Sequence, residues 1–431
     1  MVKRISTILV LITILLSSFV LPTNAYEFES EDAIPGGYYL YNFENNLVLA
    51  ESEIDKIIFP ASTVKIMTAC IAIEADIYRD KIITITDDML KDVYGIKMKL
   101  KVGDVLTYTD LLYALINYGF NDVAYAIALT VCDSVDEFID KMNSKAQELG
   151  MTSTYYVNIT GMYEEGATTS ISDIAKLSKY LVNNEEFIKI SSQKAYPLSN
   201  YATCTTKIIN NRSTLFSTFK EFANFNLGTE KYGACNVVYY KKGGLSFLCI
   251  VMDAHLSNGQ KPDKAAENCT KELLYHAVYD YSLKTIYTNK NVVVTLPVKL
   301  TTKSDDLRIY PSEDVTVFLP NTIDIENDLS YTTNIYNGDL VAPIKAGDVV
   351  GELIISYDGQ ILRKVSLVVK DSVDRNSFLH LLDIIKQYIS SRSFIFTIIS
   401  FMLAMVIYYL FKRHKIKKMH KKSSRLGKKS K

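Results

Sequence analysis

A serine and a lysine three residues apart, Ser62 and Lys65, have the residue types of a nucleophile and its base. Residues three apart share a helix face, so the Lys65 amine can reach the Ser62 hydroxyl and take its proton. The partial positive charge of a helix N-terminus would favour an alkoxide at Ser62 and disfavour the ammonium form of Lys65. This arrangement suits acyl transfer through a covalent serine ester.

The spacing alone is a weak signal, because the chain repeats it at Ser191–Lys194 and at Ser217–Lys220. Neither of these has a preceding proline or a following apolar helix. Ser62 has both, since Pro60 precedes it and the run Ile66–Glu74 has a helical pattern. We therefore expect Ser62 to lie at the start of a helix.

The surrounding pattern predicts helices packed against an antiparallel sheet, an α+β fold. Apolar residues at helical spacing predict helices at Ala124–Val131, Val135–Leu149 and Ser172–Leu181. β-Branched and aromatic residues predict strands at Gly36–Asn42 and across Ala234–Ala254, the latter folded at Lys242-Gly243-Gly244.

After about Leu283 the apolar residues alternate with period two, which is typical of strands. Strands are predicted at Val292–Leu300, Leu307–Tyr310, Val315–Leu319, Tyr331–Tyr336, Val349–Ser356 and Ile361–Lys370, with a turn at Asp358-Gly359 before the last. We expect a larger domain at residues 26–283 and a small β domain at residues 284–371.

The two ends predict where the protein resides. Residues 1–25 have the basic start, apolar run and small final residue of a secretory signal peptide. Phe394–Phe411 holds 18 residues without a charge, roughly 27 Å as a helix, which predicts a transmembrane span. The tail at 412–431 has eleven Lys and Arg and no acid, so we expect it in the cytoplasm and the rest outside. Within 372–393, Ser377–Ile389 predicts an amphipathic helix on the outer membrane surface.

Charge and cysteine usage exclude other classes. Between Tyr26 and Ser393, 35 Lys and Arg stand against 48 Asp and Glu, and this acidic balance argues against nucleic acid as a partner. The six cysteines and five histidines show no metal-ligand spacing, so we expect no metal ion, nucleotide or other cofactor. A disulfide remains open, because the cysteine spacings select no pairing.

Several stretches then point to a family. They are PASTVKIMTA at Pro60–Ala69, and the sequences at Leu100–Ile116, Met142–Met162, Thr168–Leu181 and Ala342–Leu353. In this unbroken order they resemble the serine D-alanyl-D-alanine carboxypeptidases, the low-molecular-weight penicillin-binding proteins of bacteria, of which this chain would be a divergent member.

The resemblance implies a penicilloyl-serine transferase fold, like that of β-lactamases, with a five-stranded antiparallel sheet and a β spacer domain near the membrane. The implied partners are a peptidoglycan stem peptide ending in D-Ala-D-Ala, and β-lactams as acylating ligands. Ser62 would be the nucleophile and Lys65 the general base. An oxyanion hole would include the backbone N–H of Ser62.

The later motifs of the family are altered here. The Ser-x-Asn motif aligns with Gly119-Phe120-Asn121, so the binding amide of Asn121 is kept and the proton-transfer hydroxyl is lost at Gly119. The Lys-Thr-Gly motif, which holds the substrate carboxylate, aligns with Phe225-Asn226-Leu227 or, one residue later, with Asn226-Leu227-Gly228. Neither alignment supplies a lysine, and Asn226 occupies the motif in both.

Two functional hypotheses follow. One is an active carboxypeptidase that trims stem peptides through a Ser62 acyl-enzyme. The other is a degraded relative that binds cell wall or a wall-synthesis partner without turnover. A β-lactam hydrolase is less favoured, because the sequence supplies no additional carboxylate base for deacylation. Lys220, Lys231 and Lys241-Lys242 could replace the missing lysine, although a solvated position is the ordinary interpretation of each.

Overall fold

The computed structural model describes residues 26, 28, 33–228, 234–256, 262–302, 306–336, 338–357 and 359–426. Contacts divide the chain into two units. The first extends to Leu283 and takes in Phe318–Ile323, while the second comprises Lys284–Val317 and the chain from Asp324 onward. The predicted signal peptide at 1–25 lies outside the described residues.

The first unit is built on an antiparallel sheet. Its strands are β1 (Gly37–Asn42), β2 (Leu47–Ser52), β3 (Glu221–Leu227), β4 (Ala234–Lys242) and β5 (Leu245–Leu256), and the short strand Ala33–Ile34 also pairs with β5. The order is β2-β1-β5-β4-β3, which leaves β3 at one edge. Gly243 and Gly244, both at positive φ, make the predicted turn between β4 and β5.

Helices of the first unit cover this sheet. They are α1 (Val64–Glu74), α2 (Tyr108–Tyr118), α3 (Asn121–Val131), α4 (Val135–Glu148), α5 (Ile171–Leu181), α6 (Glu185–Ser191) and α7 (Pro262–Tyr275). Single 3-10 turns lie at Ala61–Thr63, Asp88–Leu90 and Thr214–Ser217, and a π-helical turn at His276–Asp280. Two small strand pairs, Ile82–Thr84 with Val105–Thr107 and Ala195–Pro197 with Ile208–Asn210, complete the unit.

Helix α1 lies at the centre of the helical layer. Every residue from Val64 to Ile73 is buried, as expected of a helix that is apolar on all sides. It packs against α2, α3, α4 and α5. The start of α1, where the candidate nucleophile lies, is therefore held by surrounding helices.

Side-chain caps fix where the neighbouring helices begin. Thr107 and Asp110 form a capping box at the start of α2. The predicted start of α5 at Ser172 is wrong by a short margin, because the Ser170 side chain accepts a hydrogen bond from the Asp173 N–H and caps the helix. Gly150, at positive φ, follows the end of α4 as predicted.

The second unit contains a five-stranded antiparallel sheet. Its strands are β6 (Val294–Leu296), β7 (Leu307–Pro311), β8 (Leu329–Ile335), β9 (Val349–Tyr357) and β10 (Gln360–Val369), in the order β6-β7-β10-β9-β8. Val298–Lys299 pairs instead with Leu340–Val341, so the single strand predicted at Val292–Leu300 is wrong. Pro297 separates the two pieces, because proline has no N–H to donate to a ladder.

Strands Tyr281–Tyr287 and Val315–Pro320 carry the chain across the boundary between the units. At the C-terminal end, α8 spans Ser377–Ile389, the residues predicted for the amphipathic helix. Helix α9 spans Arg392–Leu426 and contains, at Arg392–Lys418, a segment long and apolar enough to cross a membrane. It extends beyond Phe411 because Lys and Arg are good helix formers.

All six cysteines are free and buried, so none forms the disulfide that the sequence left open. Burial raises the pKa of Cys269 to about 12 and that of Cys249 further still, which keeps these thiols protonated. They act as small apolar residues of the core.

Candidate active site

The backbone around Ser62 is held in an unusual conformation. Ser62 lies in the 3-10 turn that leads into α1, and the preceding Ala61 has a φ of 47°, in the left-handed region that costs a non-glycine residue roughly 1–2 kcal/mol. Gly161 packs directly on this turn, because a Cβ added there would lie 1.8 Å from the Ala61 carbonyl oxygen. The close approach of Gly161 requires glycine and fixes the turn that presents Ser62.

Lys65 follows one helical turn later and is only 7% exposed. Its Nζ donates a hydrogen bond of 2.6 Å to the Thr160 carbonyl oxygen. Asn158 accepts hydrogen bonds from the N–H groups of Thr160 and Gly161, so one turn holds both the partner of Lys65 and the residue packed on Ala61. The Lys65 amine is thereby held in place by the Thr160 backbone carbonyl.

The hydroxyl of Ser62 contacts the thiol of Cys235 on β4, with 3.4 Å between Oγ and Sγ. The Cys235 Sγ also accepts a hydrogen bond of 3.2 Å from Asn226 Nδ2. Among the described residues, Ser62 Oγ therefore has Cys235 rather than Lys65 as its hydrogen-bonding partner. Ser62 is 5% exposed, so the candidate nucleophile is nearly closed off from solvent.

The end of edge strand β3 lies against Ser62. A Cβ added at Gly228 would lie 2.0 Å from Ser62 Oγ and 2.5 Å from Cys235 Sγ, so only glycine fits there. Of the two alignments of the third motif, the structure favours Asn226-Leu227-Gly228, because it brings the motif's glycine to Ser62. Asn226 then occupies the position of the lost lysine.

The second-motif residues lie where α2 ends and α3 begins. Gly119 has a φ of 80°, and a Cβ added there would lie 3.4 Å from Lys65 Cδ. A serine hydroxyl at this position would therefore lie beside Lys65. Asn121 is 2% exposed and its Nδ2 donates to the Tyr94 carbonyl oxygen, while its Oδ1 has no partner among the described residues.

Lys65, Gly119 and Asn226 line one narrow cavity, together with Asn117, Tyr118, Arg212, Asn224 and other residues. Its volume is about 10 Å³, which is room for roughly one water molecule. Phe225 lines it and packs on Phe187, while Phe120 stacks on Tyr118. A dipeptide tail would need the cavity to widen.

Sequence reasoning missed Cys235, Arg212, Asn117 and Asn224. Arg212 lies in a polar loop and the two asparagines on regular elements, so nothing in their local pattern marks them. Of the alternative lysines, Lys220 is exposed and Lys231 lies outside the described residues. Lys241 and Lys242 lie at the exposed end of β4, over the rings of Tyr239 and Tyr279. No described group of His, Cys, Asp or Glu is arranged to hold a metal ion.

The described geometry can support acylation of a serine. It combines a hydroxyl on a turn at a helix start, a buried amine one turn later, and a narrow cavity beside that amine. It lacks two groups that the resemblance implies, the hydroxyl at position 119 and the lysine at position 226.

Comparison with known proteins is consistent with this geometry. Residues 27–256 match the family model described as D-alanyl-D-alanine carboxypeptidase, and residues 281–375 match that of the penicillin-binding protein 5 C-terminal domain. The D-alanyl-D-alanine carboxypeptidase DacF of Bacillus subtilis is 27% identical over 349 residues, covering 80% of this chain and 84% of its own length. DacC of Escherichia coli is 27% identical over 355 residues, covering 79% and 84%.

Solved structures agree on the fold. Penicillin-binding protein 6B from Escherichia coli superposes with a TM-score of 0.59 at 20% identity, covering 81% of this chain and 99% of its own. Penicillin-binding protein 5 from Haemophilus influenzae gives 0.57 at 19% identity, covering 81% and 100%. The predicted penicilloyl-serine transferase fold with a following β domain is confirmed.

Proposed function

The chain belongs to the D-alanyl-D-alanine carboxypeptidase family, and from that membership we propose that it is an outward-facing serine peptidase that acylates Ser62 with peptidoglycan stem peptides. The main support for this proposal is the geometry at the start of α1. Ser62 stands there on a turn locked by Gly161, and Lys65, one turn later, has its amine fixed by the Thr160 carbonyl. The relatives DacF and DacC are named for this activity.

In the proposed reaction, Ser62 Oγ attacks the carbonyl carbon of the terminal D-Ala–D-Ala bond while the Lys65 amine takes the hydroxyl proton. Backbone N–H groups, including that of Ser62, stabilise the oxyanion. The C–N bond breaks, D-alanine leaves with a proton, and water then hydrolyses the ester. β-Lactams would acylate the same hydroxyl.

Turnover is expected to be slow. Loss of a positioned proton-transfer group, here at Gly119, typically costs 10²–10⁴ in rate. Loss of the lysine at position 226 removes a charge-assisted hydrogen bond worth roughly 1.5–3 kcal/mol. Acylation uses Ser62, Lys65 and backbone groups, so it survives these losses better than complete turnover does.

A second candidate is a relative that binds cell wall or a wall-synthesis partner without turnover. Two observations favour it. The cavity beside Lys65 has a volume of only about 10 Å³. The Ser62 Oγ contacts the Cys235 thiol rather than the Lys65 amine. Both describe a cleft that must open before substrate enters.

The proposed location is the outer face of the cytoplasmic membrane. Residues 1–25 would direct export and α9 would anchor the chain, with the basic tail inside. Helix α8 supports this location, because its apolar side chains, including Leu381 and Ile385, are exposed.

Release of D-alanine from a stem pentapeptide tests the choice between the two functions. The proposal expects slow release by the wild type and none by Ser62→Ala. If the wild type releases no more D-alanine than Ser62→Ala but binds the pentapeptide, the binding-only function is supported instead.

A further inference from the structure

Arg212 is a cation beside Lys65 that has no acidic partner among the described residues. It lines the cavity that also contains Lys65, Gly119 and Asn226. Its guanidinium lies over the Tyr118 ring, 5.6 Å from the centroid, and no described carboxylate forms an ion pair with it. An arginine that stays half-buried without a counter-ion is available to an anion from outside.

Two buried amide atoms lining the same cavity also lack partners. Asn117 Nδ2 is a free donor and Asn224 Oδ1 a free acceptor among the described residues, and each residue is 1% exposed. Leaving such an atom buried and unpaired is unfavourable, so these groups indicate a ligand or water. The free nitrogen of Asn117 suits a carboxylate oxygen, and the free oxygen of Asn224 suits a guanidinium N–H.

The turn that carries Arg212 is fixed from both sides. Asn211 donates to Asn117 Oδ1 and accepts from Asn224 Nδ2, and the Arg212 N–H donates to the Asn117 carbonyl oxygen. On the other side, buried Glu267 accepts hydrogen bonds from the hydroxyls of Ser213 and Thr214 and from the Thr214 N–H. The backbone of Arg212 is therefore held by hydrogen bonds to α2, β3 and α7.

We infer that Arg212, with Asn117 as an additional donor, is the receptor for the substrate's terminal carboxylate in place of the missing lysine. This inference rests on the proposed function for the identity of the ligand. The positive charge then comes from Arg212, in a loop beside α2, instead of from a lysine on edge strand β3. The carboxylate enters as β3 and the end of α2, which line the cavity, separate.

The test measures preference for a free carboxylate without requiring catalysis. Full-length Ser62→Ala protein in detergent is titrated by calorimetry with diacetyl-Lys-D-Ala-D-Ala and with the same peptide as its C-terminal amide. We expect the acid to bind at least tenfold more tightly than the amide, because a charge-assisted contact contributes about that factor or more. Adding Arg212→Gln should abolish the preference while leaving amide affinity within about threefold.

Lys220→Gln is the matched control, since it removes one exposed cation from the same region of the chain. It should keep the acid preference, and Arg212→Lys should keep part of it. Amide binding in each variant reports that the cleft is folded. Equal binding of acid and amide, no binding of either, or an acid preference that survives Arg212→Gln would overturn the inference. Failure of D-alanine release is a separate result, because this titration uses protein without the nucleophile.

Discussion

At the scale of single residues, the glycine at position 119 decides how proton transfer can occur beside Lys65. Its φ of 80° is unfavourable for a side chain, yet the atom nearest to an added Cβ would be Lys65 Cδ, at 3.4 Å, an ordinary contact distance. The space for a hydroxyl is thus present although the hydroxyl is not.

Gly119→Ser should therefore raise the rate of Ser62 acylation by a fluorescent penicillin by tenfold or more. It should also lower the free energy of unfolding by about 1–2 kcal/mol, because of the left-handed backbone. Gly119→Ala is the control, since it carries the same backbone cost without a hydroxyl. Equal labelling rates for the serine and alanine variants would show that no proton-transfer group is missing at this position.

The placement of Ser62 and Lys65 at the start of a helix could be predicted from the sequence, because Pro60 and the apolar run Ile66–Glu74 mark that start. Asn226 was placed only to within one residue, since nothing local to β3 fixes its alignment with α1. Gly228 resolves it through contact with Ser62, a residue far away in the chain. Arg212 could not be found at all, because its position depends on Asn117, Asn224 and Glu267 together.

At the scale of elements, the turn before α1 and the loop at Asn158–Gly161 form one rigid assembly. Ala61 keeps its positive φ because Gly161 packs on its carbonyl oxygen. This contact involves backbone only, so it has no signature in hydrophobic pattern.

Gly161→Ala should lower the free energy of unfolding by about 2–4 kcal/mol, since the new Cβ would overlap Ala61. It should also abolish penicillin labelling, because the turn that presents Ser62 would move. Chemical denaturation and labelling measure the two effects. Gly166→Ala is the control, with a φ of 94° and its nearest neighbour, Val157 Cγ1, at 3.7 Å. If both variants behave alike, the contact with Ala61 does not hold the turn.

The helices α1, α3, α4, α5, α8 and α9 and most strands of the second unit could be predicted, because periodicity and caps are local. Helices α2, α6 and α7 and strands β2 and β3 were not predicted. Two predicted elements had wrong bounds, because a single polar or proline residue overrode the pattern. Ser170 rather than Ser172 caps α5, and Pro297 divides a predicted strand. What periodicity could not give is the width of the cleft, since that depends on how closely β3 packs on the start of α1.

At the scale of the whole molecule, two helices of the second unit are suited to a membrane. No residue in the apolar part of α9 is buried, and α8 has no buried residue. Their sequence patterns are continuous, which is why both could be predicted without the fold.

Truncated chains separate the contributions of α8 and α9 to membrane binding. They are produced in cells with residues 1–25 retained. A chain ending at Asp374 should be released into the soluble extracytoplasmic fraction. A chain ending at Ser391, which keeps α8, should remain on the membrane and come off in alkaline carbonate, because an interfacial helix binds reversibly. The full chain should resist carbonate. Complete solubility of the Ser391 truncation would mean that α8 contributes no membrane affinity.

Intact-protein mass spectrometry after exposure to benzylpenicillin tests whether Ser62 is a working nucleophile. Peptide mapping then locates any adduct. We expect one penicilloyl group per chain, located on Ser62 and absent from Ser62→Ala. A wild-type chain that gains no mass, or an adduct that persists in Ser62→Ala, would contradict it.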